Sequence, residues 1–492
     1  MQSLNQQMVL KPQRTERIVQ FGEGNFLRAF ADWVFSHMNQ RAGFDADVVV
    51  VQPRAGGSVA RLQAQDCLYN VNLQGLQGGR AVDSLELIDC ISRTIDPYIA
   101  PADYQNLAKQ PDIRFVVSNT TEAGIAFDPA CRLSDQPAVS FPGKLTQLLW
   151  YRFLAFNGDP QKGLIILPCE LIFHNGQQLT DCIHRYIELW REEMGEKAAA
   201  FLEWFDRYCF VCTTLVDRIV PGFPKSSIDN IYQRLGYVDN LVAQGEVYHL
   251  WVIETPENLP LEQLEQEFPA RRAGLNVVFT NDESPYHERK VTLLNGPHTV
   301  LSPVAFLSGI NIVRDACQHP VIGRFIHKVM YDELLATLDL PAGELRQFAD
   351  DVLERFLNPY VDHQLTSIML NSFPKFKTRD LPGLRKYVER KGQLPQGLVL
   401  GLAAIITYYR GGERADGTPI QPNDDVQIMN ILHELWQTGD TRKVAHGVLA
   451  ASDIIWGEDG DLNEIPGLTE RVADFLDAIQ ERGMLATVES IL

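Results

Sequence analysis

The first half of the chain alternates short apolar runs with helical stretches, and this alternation limits the fold more than any other feature of the sequence. The apolar runs are nearly continuous, as expected of strands buried on both faces of a parallel sheet. Helical stretches lie between them, at Phe26–Met38, Pro142–Phe156 and Asp181–Met194. Strand and helix in alternation predict a doubly wound α/β domain. The predicted strands are Arg17–Phe21, Asp47–Gln52, Arg114–Ser118, Gly163–Pro168 and Phe210–Val216.

Beyond about Tyr286 the strand signal ends and helical periodicity takes over. Asn, Asp, Ser and Pro cluster at residues 281–287, as is typical of a connection. The chain has 492 residues, whereas a single core stops growing at roughly 250–300 residues. We therefore predict an α/β domain at residues 1–285 and a mainly α-helical domain at residues 286–492. The clearest helical segments of the second domain are Glu344–Leu357, Leu398–Tyr409, Asp425–Trp436 and Leu468–Ile479.

Charge and composition exclude several classes of partner. The net charge of −19, from 63 acidic and 44 basic side chains, argues against nucleic acid, which requires a basic surface. No apolar run resembles a signal peptide or reaches the ~18 residues of a membrane span. Cys209 and Cys212 form a lone C-x-x-C with no second pair to complete a zinc site, so we interpret them as strand residues and expect no metal. We expect a cytoplasmic protein with reduced thiols and no nucleic-acid or membrane partner.

A glycine turn, Gly22-Glu23-Gly24, directly follows the first predicted strand and opens the first predicted helix. Two glycines allow a tight turn and close approach of the backbone to a pyrophosphate at the helix N-terminus. Leu27 occupies the place of the third glycine of the usual Rossmann motif, so a plain tight turn or a different nucleotide, such as a methyl donor, remains an alternative. The position of the turn favours a dinucleotide. Its predicted contacts are Phe21, Gly22, Gly24, Asn25 and Phe26.

Two further strand ends bear on the cofactor. Gln52-Pro53-Arg54 ends the second strand without the carboxylate that holds the ribose of NAD, and an arginine there could accept the 2′-phosphate of NADP. The residues alone leave NAD and NADP open. The polar loop Ser118–Gly124 follows another strand, where ligands bind in open α/β sheets. A capped helix start at Thr120 or Thr121 is the structural alternative. The predicted cofactor contacts in this loop are Asn119, Thr120 and Glu122.

The start of the second domain carries a lysine, an asparagine and a histidine: Lys290, Asn295 and His298. On a helix the second and third lie about 140° and 80° round from the first, so the three share one face, although Gly296-Pro297 could interrupt that helix. Oxidising an alcohol needs a base, and reducing a ketone needs an acid; a positioned lysine can serve as both. The asparagine and histidine could hold the substrate oxygen and stabilise its negative charge. The alternative is a polar, solvated helix face.

The Lys-x4-Asn-x2-His motif, together with F-G-E-G-N-F-L-R-A-F at Phe21–Phe30, resembles the mannitol dehydrogenase family of polyol-specific long-chain dehydrogenases. This resemblance implies a Rossmann-like first domain and zinc-independent hydride transfer with Lys290 as general acid/base. It also favours NAD as the cofactor. Further matching segments are Val117–Ile125, Thr214–Pro221, Glu288–Leu301 and Arg355–Lys375.

One stretch separates the chain from the polyol branch of that family. Pro168–Ile172 departs from the Cys-Asp-Asn of mannitol dehydrogenases, as in a branch that reduces keto-uronic acids. Leu171 then replaces an asparagine of the site, and Asn175 is the predicted substitute. The resemblance thus implies a small anionic sugar acid as substrate. The alternatives are a different keto-uronate or a neutral polyol, or a catalytically silent protein that senses a dinucleotide.

An anionic substrate in so acidic a chain requires a local group of cations. Lys375, Arg379, His363 and Arg218 are the basic groups near the matched motifs. We expect Lys375 to bind the carboxylate and His363 to contact the substrate, with Asp217 on a substrate hydroxyl. For Arg218, an ion pair with the neighbouring Asp217 is the simpler interpretation.

Overall fold

A computed structural model describes residues 1–120, 123–414 and 416–492, and the chain divides into two compact units. Unit 1 comprises Met1–Gly75 and Val82–Glu283, and unit 2 comprises Leu76–Ala81 and Ser284–Leu492. The predicted α/β character of the first part and helical character of the second are confirmed. No helix in the described ranges is both long enough and apolar enough to cross a bilayer.

Unit 1 is built on a six-stranded sheet in which every neighbouring pair is parallel. Its strands, in chain order, are β1 (Glu16–Phe21), β2 (Asp47–Val51), β5 (Ile91–Ile95), β6 (Phe115–Ser118), β7 (Ile165–Pro168) and β8 (Phe210–Val211). In space the order is β5-β2-β1-β6-β7-β8. From β1, in the middle of the sheet, the chain adds β2 and then β5 towards one edge. It then crosses back to β6, which lies on the other side of β1, and continues through β7 to β8 at the opposite edge. The crevice at this reversal, between the carboxyl ends of β1 and β6, is where a doubly wound sheet binds its ligand.

The remaining strands extend unit 1 beyond this sheet, apart from a short pair in unit 2. They are β3 (Tyr69–Gln77), β4 (Arg80–Ile88), β9 (Thr213–Asp217), β10 (Ala243–Glu246), β11 (Leu250–Glu254), β12 (Val277–Thr280), and β13 (Gly412–Glu413) with β14 (Pro419–Ile420) in unit 2. β3 lies between β10 and β4, and β11 lies between β12 and β9. The predicted strand Phe210–Val216 is divided at Cys212 into β8 and β9, which belong to different sheets.

Helices cover both faces of the six-stranded sheet. On β1, Ile18 packs into one hydrophobic cluster with Phe35, while Val19 packs into a second cluster with Leu145. The predicted helix Phe26–Met38 is divided at Phe30, whose backbone is not helical (φ −122°, ψ −75°). The helices of unit 1 are α1 (Asn25–Ala29), α2 (Ala31–Ala42), α3 (Val59–Gln63), α4 (Pro101–Leu107), α5 (Phe141–Ala155), α6 (Asn175–Leu189), α7 (Arg191–Met194), α8 (Ala198–Tyr208), α9 (Ile228–Leu235) and α10 (Leu261–Glu267).

Unit 2 is a helical assembly around two central helices that are buried on almost every side. These two helices pack against each other, which explains why the run around Leu398–Tyr409 is apolar without a polar face. The helices of unit 2 are α11 (Ser284–Lys290), α12 (Gly296–Leu307), α13 (Val313–Gln318), α14 (Ile322–His327), α15 (Ala342–Phe356), α16 (Leu365–Ile368), α17 (Ser372–Arg379), α18 (Leu381–Lys391), α19 (Gln396–Tyr408), α20 (Val426–Gln437), α21 (Thr441–Leu449) and α22 (Leu468–Glu489). The central pair is α12 and α19.

Candidate active site

The glycine turn lies at the carboxyl end of β1, and its two glycines have different reasons to be glycine. Gly22 has φ +127°, and a Cβ there would lie 2.9 Å from Leu27 Cδ1 and 3.1 Å from the Asn119 carbonyl oxygen. The fold itself therefore requires glycine at this position. Gly24 is exposed, and a Cβ there would meet no atom within 4 Å. The open face at Gly24 is the kind of backbone surface that a pyrophosphate can approach closely.

The loop after β6 is fixed to the strands on both sides of it. The Asn119 backbone N–H donates to the Phe21 carbonyl at 3.2 Å, and Asn119 Nδ2 donates to the Cys169 carbonyl at 2.6 Å. Asn119 thereby connects the ends of β1 and β7 across β6. The structure thus brings the predicted contacts Asn119 and Thr120 beside the glycine turn. The predicted contact Glu122 lies outside the described residues.

The Glu170 side chain stabilises the same loop through hydrogen bonds. It is only 2% exposed, and its Oε1 accepts hydrogen bonds from the backbone N–H and the hydroxyl of Thr120, both at 2.9 Å. Its Oε2 accepts from the Ser118 hydroxyl at 3.0 Å. Burial raises the pKa of Glu170. No role was predicted for Glu170 from the sequence, although its position just after a predicted strand is where ligand-site residues of such sheets lie.

Asn175 has a different role from the predicted substrate contact. It is fully buried, and its Nδ2 donates to the carbonyls of Pro168 (3.1 Å), Glu170 (3.0 Å) and Thr214 (2.9 Å). Its Oδ1 accepts from the Thr214 N–H at 2.9 Å. Because the main chain engages both ends of the amide, little remains for a ligand. Asn175 instead joins the turn after β7 to β9, while Leu171 beside it is 59% exposed.

The other predicted cofactor contacts form the first helix and its approach. The Phe21 ring lies in the hydrophobic core, so only its backbone faces the turn. Asn25 Oδ1 accepts a hydrogen bond from Arg28 Nη2 at 2.5 Å, and the buried Arg28 also donates from Nη1 to the Leu241 carbonyl. The Phe26 ring is only partly buried and is thus accessible to a ligand. Arg28 is a structural support of the turn that the sequence analysis did not identify.

At the tip of β2 the structure shows a buried amide and an exposed arginine. Gln52 is 2% exposed and donates from Nε2 to Asp96 Oδ2 at 2.9 Å. Arg54 is exposed. Glu23 Oε1 accepts from the Ser58 N–H at 2.8 Å, which fixes the segment after β2 to the glycine turn. The carboxylate that binds Gln52 is thus that of Asp96, just after β5, and does not come from β2.

Asp217 and Arg218 lie at the end of β9 in unit 1. Asp217 is 5% exposed. Arg218 is also 5% exposed and donates to the carbonyls of Ala29, Val247 and Tyr248. Its guanidinium is thus used to hold the backbone of neighbouring elements. We therefore exclude Arg218 from the candidate substrate contacts.

Cys209 and Cys212 are buried, and burial raises the pKa of both thiols above the usual value. Metal binding and redox exchange both need an accessible thiolate. Within the described residues, no three His, Cys, Asp or Glu side chains form a group that could hold a metal ion.

In unit 2 the lysine, asparagine and histidine lie on one continuous helical run. Lys290 ends α11, the segment Val291–Asn295 is a π-helix, and α12 begins at Gly296. The Gly296 N–H donates to the Val291 carbonyl, five residues back. Gly296-Pro297 therefore does not interrupt the helix, because the widened turn accommodates a proline that has no N–H to donate. The i→i+5 pattern also brings Asn295 closer to the face of Lys290 than a regular α-helix would.

His298 is the centre of a buried ring cluster. Its ring lies 4.1 Å from that of Phe356 and 5.2 Å from that of His363, measured between centroids. Its Nε2 is buried and has no hydrogen-bond partner in the part of the chain that the structure describes. Burial lowers the pKa of both histidines, and the charges of Arg355 and Arg379 lower that of His298 further. Both imidazoles are therefore neutral near pH 7, and His298 Nε2 is available to a ligand.

Helix α17 places two cations next to this cluster. Lys375 Nζ donates to the Ile368 carbonyl at 2.7 Å, and Arg379 Nη1 donates to Thr299 Oγ1 at 3.3 Å. Burial lowers the pKa of Lys375, and the charge of Arg379 lowers it further. The structure thus assembles the predicted His298, His363 and Lys375 with Arg379, which the sequence analysis named only as one of several basic groups.

Comparison with known protein families gives matches over most of the chain. The mannitol dehydrogenase Rossmann domain family matches residues 16–265, and the mannitol dehydrogenase C-terminal domain family matches residues 282–480. An altronate oxidoreductase of Phocaeicola vulgatus is 63% identical over 492 residues, the whole of both chains. An altronate oxidoreductase of Bacillus subtilis is 46% identical over 479 residues, covering 97% of this chain and 95% of the relative.

Two solved structures share the fold at low sequence identity. A D-sorbitol dehydrogenase in substrate-free form superposes with a TM-score of 0.80 at 19% identity, covering 99% of this chain and 100% of the other. Mannitol 2-dehydrogenase of Pseudomonas fluorescens, in a ternary complex with NAD and D-mannitol, gives a TM-score of 0.66 at 19% identity. That match covers 100% of this chain and 99% of the other.

Proposed function

The chain belongs to the mannitol dehydrogenase family and is an oxidoreductase that acts on CH–OH groups; from this premise we propose that it interconverts D-tagaturonate and D-altronate, with NAD as cofactor and Lys290 as general acid/base. The observation that carries the proposal is a cationic cluster, formed by Lys375 and Arg379 beside His298, in a chain whose net charge is −19. Relatives named altronate oxidoreductase, at 42–63% identity, support the same substrate.

The glycine turn and the loop after β6 are the proposed cofactor site. Gly24 presents an open backbone face, and Asn119 and Thr120 are held beside it at the reversal of the strand order. Asn25 and Phe26 complete the site at the start of α1. These residues fit a dinucleotide, because the pyrophosphate requires close approach to the backbone and few side chains. When bound, the nicotinamide ring supplies the hydride for reduction and accepts it for oxidation.

Proton transfer is the role that we propose for Lys290. In reduction its ammonium gives a proton to the oxygen of the former keto group, and the neutral amine then takes a proton from solvent. In oxidation the neutral amine removes the hydroxyl proton. The Asn295 amide and a neutral His298 with its proton on Nε2 donate hydrogen bonds to that oxygen, which stabilises its negative charge as the hydride is transferred.

The remaining proposed contacts bind the rest of the sugar acid. Lys375 and His363 lie in the cationic cluster of unit 2, and Asp217 in unit 1 is proposed to accept a hydrogen bond from a substrate hydroxyl. An acidic protein repels an anion at long range, so a local cluster of cations must supply its binding. A neutral polyol would gain nothing from such a cluster.

A panel of substrates tests the proposal. Purified protein is assayed with D-tagaturonate, D-fructuronate, D-fructose and D-mannitol, each with NADH or NAD⁺ and with NADPH or NADP⁺, by absorbance of the reduced cofactor. We expect the highest kcat/KM for tagaturonate with NADH. Highest activity with fructuronate would identify a fructuronate reductase, and highest activity with mannitol or fructose a polyol dehydrogenase. Preference for NADPH would show that Arg54 binds the 2′-phosphate.

A further inference from the structure

Arg379 is a cation that the protein itself uses very little. It lies in the last turn of α17 and is only partly buried. Its single hydrogen bond among the described residues is the one from Nη1 to Thr299 Oγ1, at 3.3 Å. A guanidinium carries five N–H donors in a planar fork that matches the two oxygens of a carboxylate. Most of that fork is not engaged by the protein.

Among the residues that the structure describes, Arg379 donates no hydrogen bond to the carboxyl group that follows it in the sequence. Asp380 is fully buried, and neither of its side-chain oxygens has a hydrogen-bond partner in the described residues. Burial raises the pKa of Asp380 well above the usual value. Burial thus disfavours the charged form of Asp380, and the unused donors of the Arg379 guanidinium remain for an external anion.

Other positive charge lies close to Arg379, although Asp424 partly offsets that of Lys375. Lys375 precedes it by four residues on the same helix, and like charges at that spacing destabilise a helix. The charge of Arg379 also depresses the pKa of His298 and of Lys375. Desolvated cations are expensive unless they are paired. A bound carboxylate would offset this repulsion.

Arg379 and Lys375 are not equivalent candidates for the carboxylate. The Lys375 ammonium already donates to the Ile368 carbonyl at 2.7 Å, which holds it against the backbone. Arg379, in contrast, is connected to the catalytic helix, because the Thr299 hydroxyl that it contacts donates to the Asn295 carbonyl at 2.9 Å. A carboxylate on Arg379 would thus be fixed relative to Asn295, which is proposed to hold the reacting oxygen.

We propose that Arg379 binds the substrate carboxylate through both of its terminal nitrogens and so sets the preference for a sugar acid over a neutral polyol. This inference rests on the proposed function and refines it. Arg379 replaces Lys375 as the principal carboxylate partner. Lys375 contributes positive charge to the cluster at longer range.

Equilibrium binding provides the test. Isothermal titration calorimetry with the full-length protein and saturating NADH, which cannot oxidise either ligand, gives the affinities for D-altronate and for D-altritol, the neutral polyol in which CH2OH replaces the carboxylate. We expect Arg379→Met to reduce the preference for altronate by at least about tenfold, since a charge-assisted hydrogen bond has at least that effect. Arg379→Lys, which keeps the charge and loses the fork, should reduce it by about threefold to tenfold.

Lys377→Met is the matched control, because it removes one positive charge from the same helix. Its ammonium lies 3.9 Å from Asp459 Oδ2, and the preference should not change. Lys375→Met should lower the preference less than Arg379→Met. Thermal unfolding of each variant checks folding, and Arg379→Lys serves as the test if Arg379→Met does not fold.

Four results would overturn the inference. An unchanged preference in the Arg379 variants would do so, with the proposed function left intact. Equal loss of affinity for acid and polyol would show that Arg379 is structural, and a larger effect of Lys375→Met would transfer the carboxylate to Lys375. A wild-type protein that binds altritol as tightly as altronate would contradict both this inference and the proposed function.

Discussion

The glycine turn of unit 1 and the cationic cluster of unit 2 differ in how fully the protein itself satisfies their hydrogen-bonding groups. Around the turn, the supporting side chains Glu170 and Asn175 have their polar atoms bonded to neighbouring backbone and hydroxyl groups. Around His298, a buried ring nitrogen has no hydrogen-bond partner among the described residues, and Arg379 uses one of its five N–H donors there. The first region is shaped by the protein alone. The second has unused hydrogen-bonding groups among the described residues and is the proposed binding site of an anion, so changes in the two regions should have separable effects.

The largest effect is expected at Lys290. Lys290→Ala should lower kcat by about 10²–10⁴, the range for removing a positioned proton-transfer group. NADH affinity, measured by fluorescence titration, should be almost unchanged, because the glycine turn is formed by other residues. A variant that retains full activity would refute the assignment of Lys290 as general acid/base. The catalytic group would then have to be sought elsewhere.

The next effect concerns the open face of the glycine turn. Gly24→Val should lower NADH affinity by at least about tenfold, a change of 1.4 kcal/mol, because the new side chain occupies the space that the pyrophosphate needs. The fold should survive, since a Cβ at this position meets no atom within 4 Å.

Gly343→Val, at the start of α15, is the matched control for this substitution, because a Cβ there is equally unobstructed. It should leave NADH affinity unchanged. Normal NADH binding by a folded Gly24→Val protein would place the cofactor site elsewhere.

A smaller effect on cofactor affinity is expected at Glu170. Glu170→Ala leaves the partly buried Thr120 N–H without its acceptor, which costs up to about 1 kcal/mol, and NADH affinity should fall as the loop loosens. Glu170→Gln should restore most of the affinity, because one amide oxygen can still accept both bonds from Thr120. Hydrogen exchange at the Thr120 amide should rise in the alanine variant alone. Equal NADH affinity in the alanine variant and the wild type would mean that the loop does not depend on Glu170.

The smallest expected effect is on the pH dependence of protein stability, and it comes from Asp32, whose partner Gln20 also bonds to the glycine turn. Asp32 accepts from the Tyr69 hydroxyl at 3.0 Å and from Gln20 Nε2 at 3.3 Å, and Gln20 also donates to the Gly22 carbonyl at 3.1 Å. Burial raises the pKa of Asp32 from 3.8 to about 7. Since the folded value is the higher one, the stabilisation is fully present below pH 3.8 and is lost as the pH rises through about 7.

Asp32→Asn should therefore flatten the fall in Tm between pH 5 and pH 8. Glu333 in unit 2, with a pKa raised to about 7, contributes equally to both proteins and cancels in the difference. The buried histidines of unit 2, whose folded pKa values are lowered, make stability rise with pH up to the unfolded value of 6.5 in both proteins, and this contribution also cancels in the difference. Parallel Tm profiles of the variant and the wild type would show that Asp32 does not titrate in this range.

The sequence by itself determined the features that depend on local pattern. Buried parallel strands are continuously apolar and buried helices have their own period, so the α/β first part, the helical second part and the five predicted strands could be predicted. The glycine turn and the Lys290 motif were recognisable for the same reason, because each lies in one short segment. β3, β4, β5 and β10 were not predicted, and their mixed polar and apolar residues lack a continuous apolar run. β11 and β12 were not predicted either, although both are largely apolar.

Only the tertiary structure decided what individual polar side chains do, because their partners are distant in the sequence. Asn175 is saturated by Thr214, 39 residues away, and Glu170 engages Thr120, 50 residues away. Whether a polar group is hydrogen-bonded within the protein or remains for a ligand depends on which backbone groups the fold brings within hydrogen-bond distance. The same rule separates Lys375, already held by a carbonyl, from Arg379, whose fork is mostly unused.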